Sequence, residues 1–223
     1  MANLGDTDAD KMKTKTLIVA ATAAELSGLY SHFRLAQGRF VQADGFDILL
    51  TGVGMTATAY ALGRHLSEAY GLVLNLGIAG CFDRSIPLGT VLNVTSDEFA
   101  ELGAEDHHNF IRIDDLGFGR SRFSATCQIN HPLIKRLPAV SGITVNCVHG
   151  HAASIAAIKE RLAPVTESME GAAVFYACAE TGLPCLQVRA VSNYVEPRNR
   201  SAWQIGPALE KLNDWAIRFL TKS

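Results

Sequence analysis

The chain contains no CxxC pair, no run of Lys or Arg, no GxSxG turn, no GxxxxGK(S/T) loop and no apolar stretch as long as a membrane span. Each absence removes a class. Without a basic run, a general nucleic-acid or membrane surface is not expected, and the net charge of −2 agrees. Without a GxSxG elbow or a phosphate-binding lysine loop, serine-hydrolase and P-loop chemistries have no support. Without a long apolar run there is no membrane span. The five cysteines (Cys81, Cys127, Cys147, Cys178 and Cys185) are scattered and odd in number, the usage of reduced, mostly buried thiols in a cytoplasmic protein. Proline is scarce, 7 residues against 19 glycines, so long helices and strands are not often interrupted.

What is present is a globular composition of 223 residues, nearly half of them apolar, enough for one sizeable domain. Residues 1–12 are polar and acidic and read as a disordered extension, with Met12 placed like a natural start. Residues 13–223 then form a single domain. The run TLIVAA at 16–21 is apolar throughout, as in a strand buried on both faces, and Glu25 opens a helical stretch after it. Further strands are expected at 46–51, 72–76, 89–95, 144–148 and 185–191. Helices are expected at 56–70, 154–162, Gly171–Thr181 and 207–220, the last with Leu209, Leu212, Trp215, Ala216, Phe219 and Leu220 along one face. Residues 97–141 are polar and irregular and carry no assignment. Alternating strands and helices predict one α/β domain around a mixed, mostly parallel central sheet flanked by helices. Polar groups collect just past strand ends, at Glu25, Gly52, Gly80 and Asn193, where ligands bind in such sheets.

Several motifs have competing readings. Gly52-Val-Gly54-Met-Thr-Ala57 fits a dinucleotide turn, but it follows the second strand rather than the first, and 72–80 offers no acid for a ribose; a turn lining another site is the better reading. His107-His108 and His149-Gly-His151 have no further ligands at a recognised spacing, so no metal site is expected. Glu170, at the start of an apolar helix, could simply complement the helix dipole. Arg189, inside an apolar strand, needs a partner, and Glu25 would serve.

Taken in order, Glu25, Gly52-Val-Gly54, Gly77-Ile-Ala-Gly80, Met169-Glu170 and Arg189-Ala-Val-Ser192-Asn193 resemble the nucleoside phosphorylase and nucleosidase superfamily. The stretches Glu167-Ser-Met-Glu-Gly-Ala and Arg189-Ala-Val-Ser-Asn-Tyr-Val-Glu-Pro-Arg-Asn-Arg, with Trp203 after them, resemble the futalosine hydrolase family. Ile78 and Asn193 depart from the methylthioadenosine nucleosidase pattern, which has Ser and Asp there.

The resemblance implies a nucleoside phosphorylase-like fold and hydrolysis of the N-glycosidic bond of futalosine in menaquinone formation, with no metal or organic cofactor. It implies Glu25 as the base that deprotonates water, Arg189 holding Glu25 or that water, Glu170 on the ribose hydroxyls with Met169 against the sugar, and Asn193 on the purine. Ala79, Gly80, Ser154 and Ser192 would add substrate contacts. Tyr194 and Trp203 would lie near the 5′ substituent, and Arg198 and Arg200 would meet its carboxylate and ring. It also implies a homodimer or higher homo-oligomer. The residue types suit the chemistry. A carboxylate at the 2′-hydroxyl stabilises a developing ribosyl cation more than the substrate, and an amide can serve a 6-oxopurine where an ionised Asp would face O6 with like polarity. A methylthioadenosine/S-adenosylhomocysteine-type nucleosidase, a purine nucleoside phosphorylase, a non-catalytic nucleoside binder and a nicotinamide oxidoreductase are the alternatives. Against phosphorolysis stands Glu25, which would repel a dianion.

Overall fold

The computed structural model describes residues 15–126 and 130–221; the predicted extension and Cys127 lie outside them. Eleven strands are described: β1 (Lys15–Ala20), β2 (Phe40–Gln42), β3 (Phe46–Leu50), β4 (Tyr70–Cys81), β5 (Val91–Phe99), β6 (Gly103–Asp106), β7 (Asn109–Arg112), β8 (Arg122–Ser124), β9 (Ala139–Thr144), β10 (Thr166–Ser168) and β11 (Cys185–Tyr194). The helices are α1 (Ser27–His32), α2 (Met55–His65), α3 (Pro132–Lys135), α4 (Ala152–Leu162), α5 (Gly171–Thr181) and α6 (Ile205–Thr221).

Alternation along β1 shows how the layers form. Ile18 and Ala20 face α6, in a cluster with Leu212, Trp215, Ala216 and Phe219. Leu17 and Val19 face the other way, toward Ala61 and Leu62 of α2 and Val174, Phe175 and Cys178 of α5. A strand apolar at every position is thus covered on both faces, each buried Leu or Ile contributing about 1.5–3 kcal/mol. The result is the single α/β domain with helices on both sides of a mixed, mostly parallel sheet.

The sheet runs β10-β9-β5-β11-β4-β1-β3-β2, with β8 on β5. It also closes on itself: β10 pairs with β9 on one side and with the far end of β4 on the other, antiparallel, with Thr166 opposite Cys81 and Glu167 opposite Gly80. This closure corrects the sequence reading at two points. The third strand does not stop at Leu76 but runs through Gly77-Ile-Ala-Gly80 to Cys81, because those residues pair with β11, and Gly80 and Cys81 with β10 as well. The segment at 144–148 is mostly loop; the strand lies upstream at Ala139–Thr144, in register with β5. Helix α2 ends at His65, five residues short of expectation, with Leu66 already extended. The unassigned 97–141 region supplies β6–β8, α3 and the start of β9.

Candidate active site

At the carboxyl ends of β1, β4 and β11 lies a cavity of about 390 Å³ lined by Glu25, Ile78, Ala79, Gly80, Met169, Glu170, Ser192, Asn193 and Trp203, among others. Each of its polar groups is held by a local feature of the chain.

Glu25 stands in a 3-10 turn (Ala23–Leu26) directly after β1. Its Oε2 accepts from the Thr22 amide at 3.0 Å and the Thr22 hydroxyl at 3.2 Å, and its Oε1 from the Ile78 amide at 3.3 Å. Burial raises its pKa; the Arg189 charge pulls it down and Glu170 pushes it up again. The backbone under Glu25 is fixed by Asn213 of α6, whose Nδ2 donates to the Glu25 carbonyl at 2.9 Å and whose Oδ1 accepts from the Leu29 amide at 3.0 Å. Gly28 permits that approach: a Cβ there would stand 2.6 Å from the Asn213 Cβ.

Glu170 stands at the N-cap position of α5, but its side chain turns away from the helix and its Oε1 accepts from the Gly54 amide at 2.8 Å. Gly54 has φ +95°, a backbone conformation that a side chain would strain. The Gly52-Val-Gly54 turn therefore anchors the second carboxylate.

Arg189 is fully buried, and its Nη1 donates to Asn75 Oδ1 at 3.2 Å. The direct partner is Asn75 rather than the expected Glu25, which Arg189 reaches through space. Both groups close over Gly77, where a Cβ would come within 2.8 Å of Glu25 Oε1 and 2.9 Å of Arg189 Nη1. Behind Arg189 runs a buried chain: Asn75 Nδ2 to Gln187 Oε1 at 3.1 Å, Gln187 Nε2 to Asp97 Oδ2 at 2.7 Å, Thr144 Oγ1 to Asp97 Oδ1 at 2.8 Å, and the Ala172 amide of α5 to Thr144 Oγ1 at 2.7 Å. Burial pushes the Asp97 carboxyl up to about 6.

Asn193 sits where β11 slips register against β4, between Val191 and Asn193. Such a bulge re-aims a side chain. Asn193 stands opposite Gly80, its Oδ1 accepting from Ser192 Oγ at 2.8 Å and its Nδ2 donating to the Tyr194 carbonyl at 3.1 Å. Trp203 lines the cavity, with the Arg198 and Arg200 guanidinium groups 5.4 and 5.9 Å from its ring centre.

The structure thus brings Glu25, Ala79, Gly80, Met169, Glu170, Ser192, Asn193 and Trp203 to one cavity, with Arg189 behind its wall. Four expected residues lie outside it. Ser154 is exposed in the first turn of α4, its hydroxyl on the His151 carbonyl. Tyr194 turns its hydroxyl onto the Ile86 carbonyl. Arg198 and Arg200 line no part of the cavity, Arg198 standing in the wall of a smaller hollow beside it. Sequence reasoning missed Asn75, Asp97, Gln187 and Asn213. Their signal was visible, a polar side chain at an inward position of an apolar strand or helix face. It also missed the pairing of His149 with Glu167.

The family profile of the phosphorylase superfamily matches residues 32–221. The chain is 38% identical over 184 residues to a futalosine hydrolase of Streptomyces coelicolor, 77% of each chain. It belongs to the futalosine hydrolase family. A second member, the futalosine hydrolase of Acidothermus cellulolyticus, is 32% identical over 220 residues, covering 90% of this chain and 88% of the relative. The solved futalosine hydrolase of Helicobacter pylori shares the fold at TM-score 0.80, with 13% identity over 96% of this chain and all of that one. The family's stretch from 167 to 172 falls on β10 and the start of α5, and its stretch from 189 to 200 on β11 and the loop after it. Among the described residues no helix is long and apolar enough to cross a membrane.

Proposed function

We propose that the chain hydrolyses the N-glycosidic bond of futalosine, releasing hypoxanthine and dehypoxanthine futalosine. The observation that carries this reading is the charge of the cavity. Its lining has the carboxylates of Glu25 and Glu170, with that of Glu167 taken up by His149, and no Lys or Arg among the described residues. A phosphate dianion is repelled there and water is not, which favours hydrolysis over phosphorolysis.

In this reading Glu25 accepts a proton from the attacking water. Its raised pKa makes it a better base than an ordinary carboxylate. Glu170, oriented by the Gly54 amide, holds the ribose hydroxyls as the sugar becomes cationic, with Met169 against the ring. Asn193 keeps one Nδ2 hydrogen for the purine O6. Trp203 stacks the aromatic tail, and Arg198 meets its carboxylate. The proposal extends to a homodimer or higher homo-oligomer in the cytoplasm, acting in menaquinone formation. What supports the assembly is an apolar hollow of about 740 Å³ lined by Met55, Phe99, Phe118 and Tyr176, with Phe118 80% exposed.

The test is base release from futalosine, inosine and methylthioadenosine, with and without phosphate. Hypoxanthine should be released without phosphate, and Glu25→Gln should lower turnover by about two orders of magnitude or more. Phosphate-dependent release, or methylthioadenosine cleaved as well as futalosine, would overturn the reading.

A further inference from the structure

When C1′–N9 breaks, the electron pair of that bond goes to the purine, which needs a proton to leave as a neutral base. The two carboxylates assigned above are committed to water and to the ribose. Asn193, an amide, donates hydrogen bonds but releases no proton. The residues assigned so far therefore leave the departing base without an acid.

A carboxylate–imidazole pair lies beside Asn193. Glu167, in β10, is buried between strands; its Oε1 accepts from the His149 backbone amide at 3.0 Å, and its Oε2 is in close contact with His149 Nδ1. Burial raises the Glu167 pKa and the contacts with His149 oppose the rise. A carboxylate on Nδ1 fixes the ring so that Nε2 points the other way, and Nε2 has no hydrogen-bond partner among the described residues. His149 lines a small hollow of about 60 Å³ together with Gly80, Val148, Glu167, Asn193 and Trp203. Those five also line the main cavity, so the hollow opens beside the amide assigned to the purine.

We propose that His149, held in place by Glu167, is the acid that protonates N7 of the leaving purine. The inference rests on the nucleosidase reading. The step balances: water oxygen bonds to C1′ and gives a proton to Glu25; the C1′–N9 pair passes into the purine; N7 takes the Nε2 proton. The product base is neutral hypoxanthine, and Glu25 and His149 exchange their protons with solvent before the next turnover. Besides Glu167, the charged groups around His149 are Glu196 and Arg198 in the wall of the hollow and Glu101, which acts on Glu167.

The experiment compares futalosine with its N7-methylated derivative, whose base already carries positive charge and leaves without a proton. His149→Gln should lower kcat/KM on futalosine by about 100-fold, within the range for loss of a general acid, and by less than about threefold on the methylated substrate. Glu167→Gln should show the same split, milder, because the ring then loses the carboxylate that orients it. It also serves as the second variant if His149→Gln does not fold. Glu25→Gln should depress both substrates, since water must be activated in either case. Equal losses on the two substrates, or an unimpaired His149→Gln enzyme, would overturn the proposal. Wild-type protein inactive on both would overturn the nucleosidase reading itself, a result distinct from the loss of the split.

Discussion

Gly77→Ala adds one methyl group at the place where Glu25 and Arg189 meet. The new Cβ would lie 2.8 Å from Glu25 Oε1 and 2.9 Å from Arg189 Nη1, against an ordinary contact distance of 3.4 Å or more. About half an ångström must be found on each side. Neither neighbour yields freely: three hydrogen bonds hold the Glu25 carboxylate, and Asn75 holds the guanidinium. Overpacking of this kind costs about 1–3 kcal/mol of stability. A misplacement of about 1 Å at a reacting centre costs about 100-fold, so half that distance should cost at least about tenfold in kcat, with KM less affected. Gly77 does not have positive φ, so the effect is one of space and not of backbone strain. The assay is hypoxanthine release beside thermal unfolding. Gly63→Ala is the control: it lies in α2 with nothing within 4 Å of its Cβ position, and should stabilise by about 0.8–1 kcal/mol through helix propensity alone, with activity unchanged. Activity of Gly77→Ala within twofold of wild type, at unchanged melting temperature, would refute the reasoning.

Three further outcomes follow from the same geometry. Arg189→Met removes the charge that holds the Glu25 pKa down; because Glu25 must be ionised to act, the acid limb of kcat/KM should move to higher pH, and an unmoved limb would separate the two residues. Glu170→Ala should depress turnover of the ribonucleoside far more than that of its 2′-deoxy counterpart, whose partner hydroxyl is already gone; equal losses would point to a structural role at the head of α5. Asp97, with its carboxyl pushed up to about 6 from an ordinary 3.8, binds its proton more tightly when folded, so its contribution to stability is complete below pH 3.8 and lost as pH rises through 6. That difference is worth up to about 3 kcal/mol; denaturant unfolding of Asp97→Asn at pH 4 and pH 7.5 should lack this component, and a pH dependence equal to that of wild type would contradict it.

The alternation of strands and helices was readable because β1, β3, β11 and α5 have the apolar patterns of elements covered on both faces. The segments forming β2 and β10 were not readable: each is three residues long, too short for any period to show, and held by pairing partners far away in sequence. For the same reason Gly77–Gly80 read as a turn. Glycine marks turns locally, but here it allows Glu25, Arg189 and Asn193 to approach the strand, a fact that belongs to the tertiary structure. Glu25, Glu170 and Asn193 were legible because each stands where an apolar run begins or ends: after that of β1, at the head of α5, and past that of β11, although the strand itself continues to Tyr194. The Asn75–Gln187–Asp97 chain was legible only as three polar residues in need of partners. His149 looked like one half of an unfinished metal motif until β10 brought Glu167 beneath it.

The closure of the sheet by β10 has a consequence for the order in which this protein becomes an enzyme. Glu25, Gly80, Glu167, Glu170 and Asn193 come from segments spread over nearly 170 residues, and the pairing of Thr166 with Cys81 and Glu167 with Gly80 is the seam that gathers them. Contacts so distant in sequence form late, because the chain entropy they cost must be met before they contribute. A nascent or partly unfolded molecule can therefore possess β1, β3 and their helices, and much of the core, while the cavity that Glu25, Glu170 and Asn193 line is still unassembled. Catalytic competence then reports on the completed seam rather than on secondary structure, and recovery of turnover after refolding should trail recovery of the helical signal.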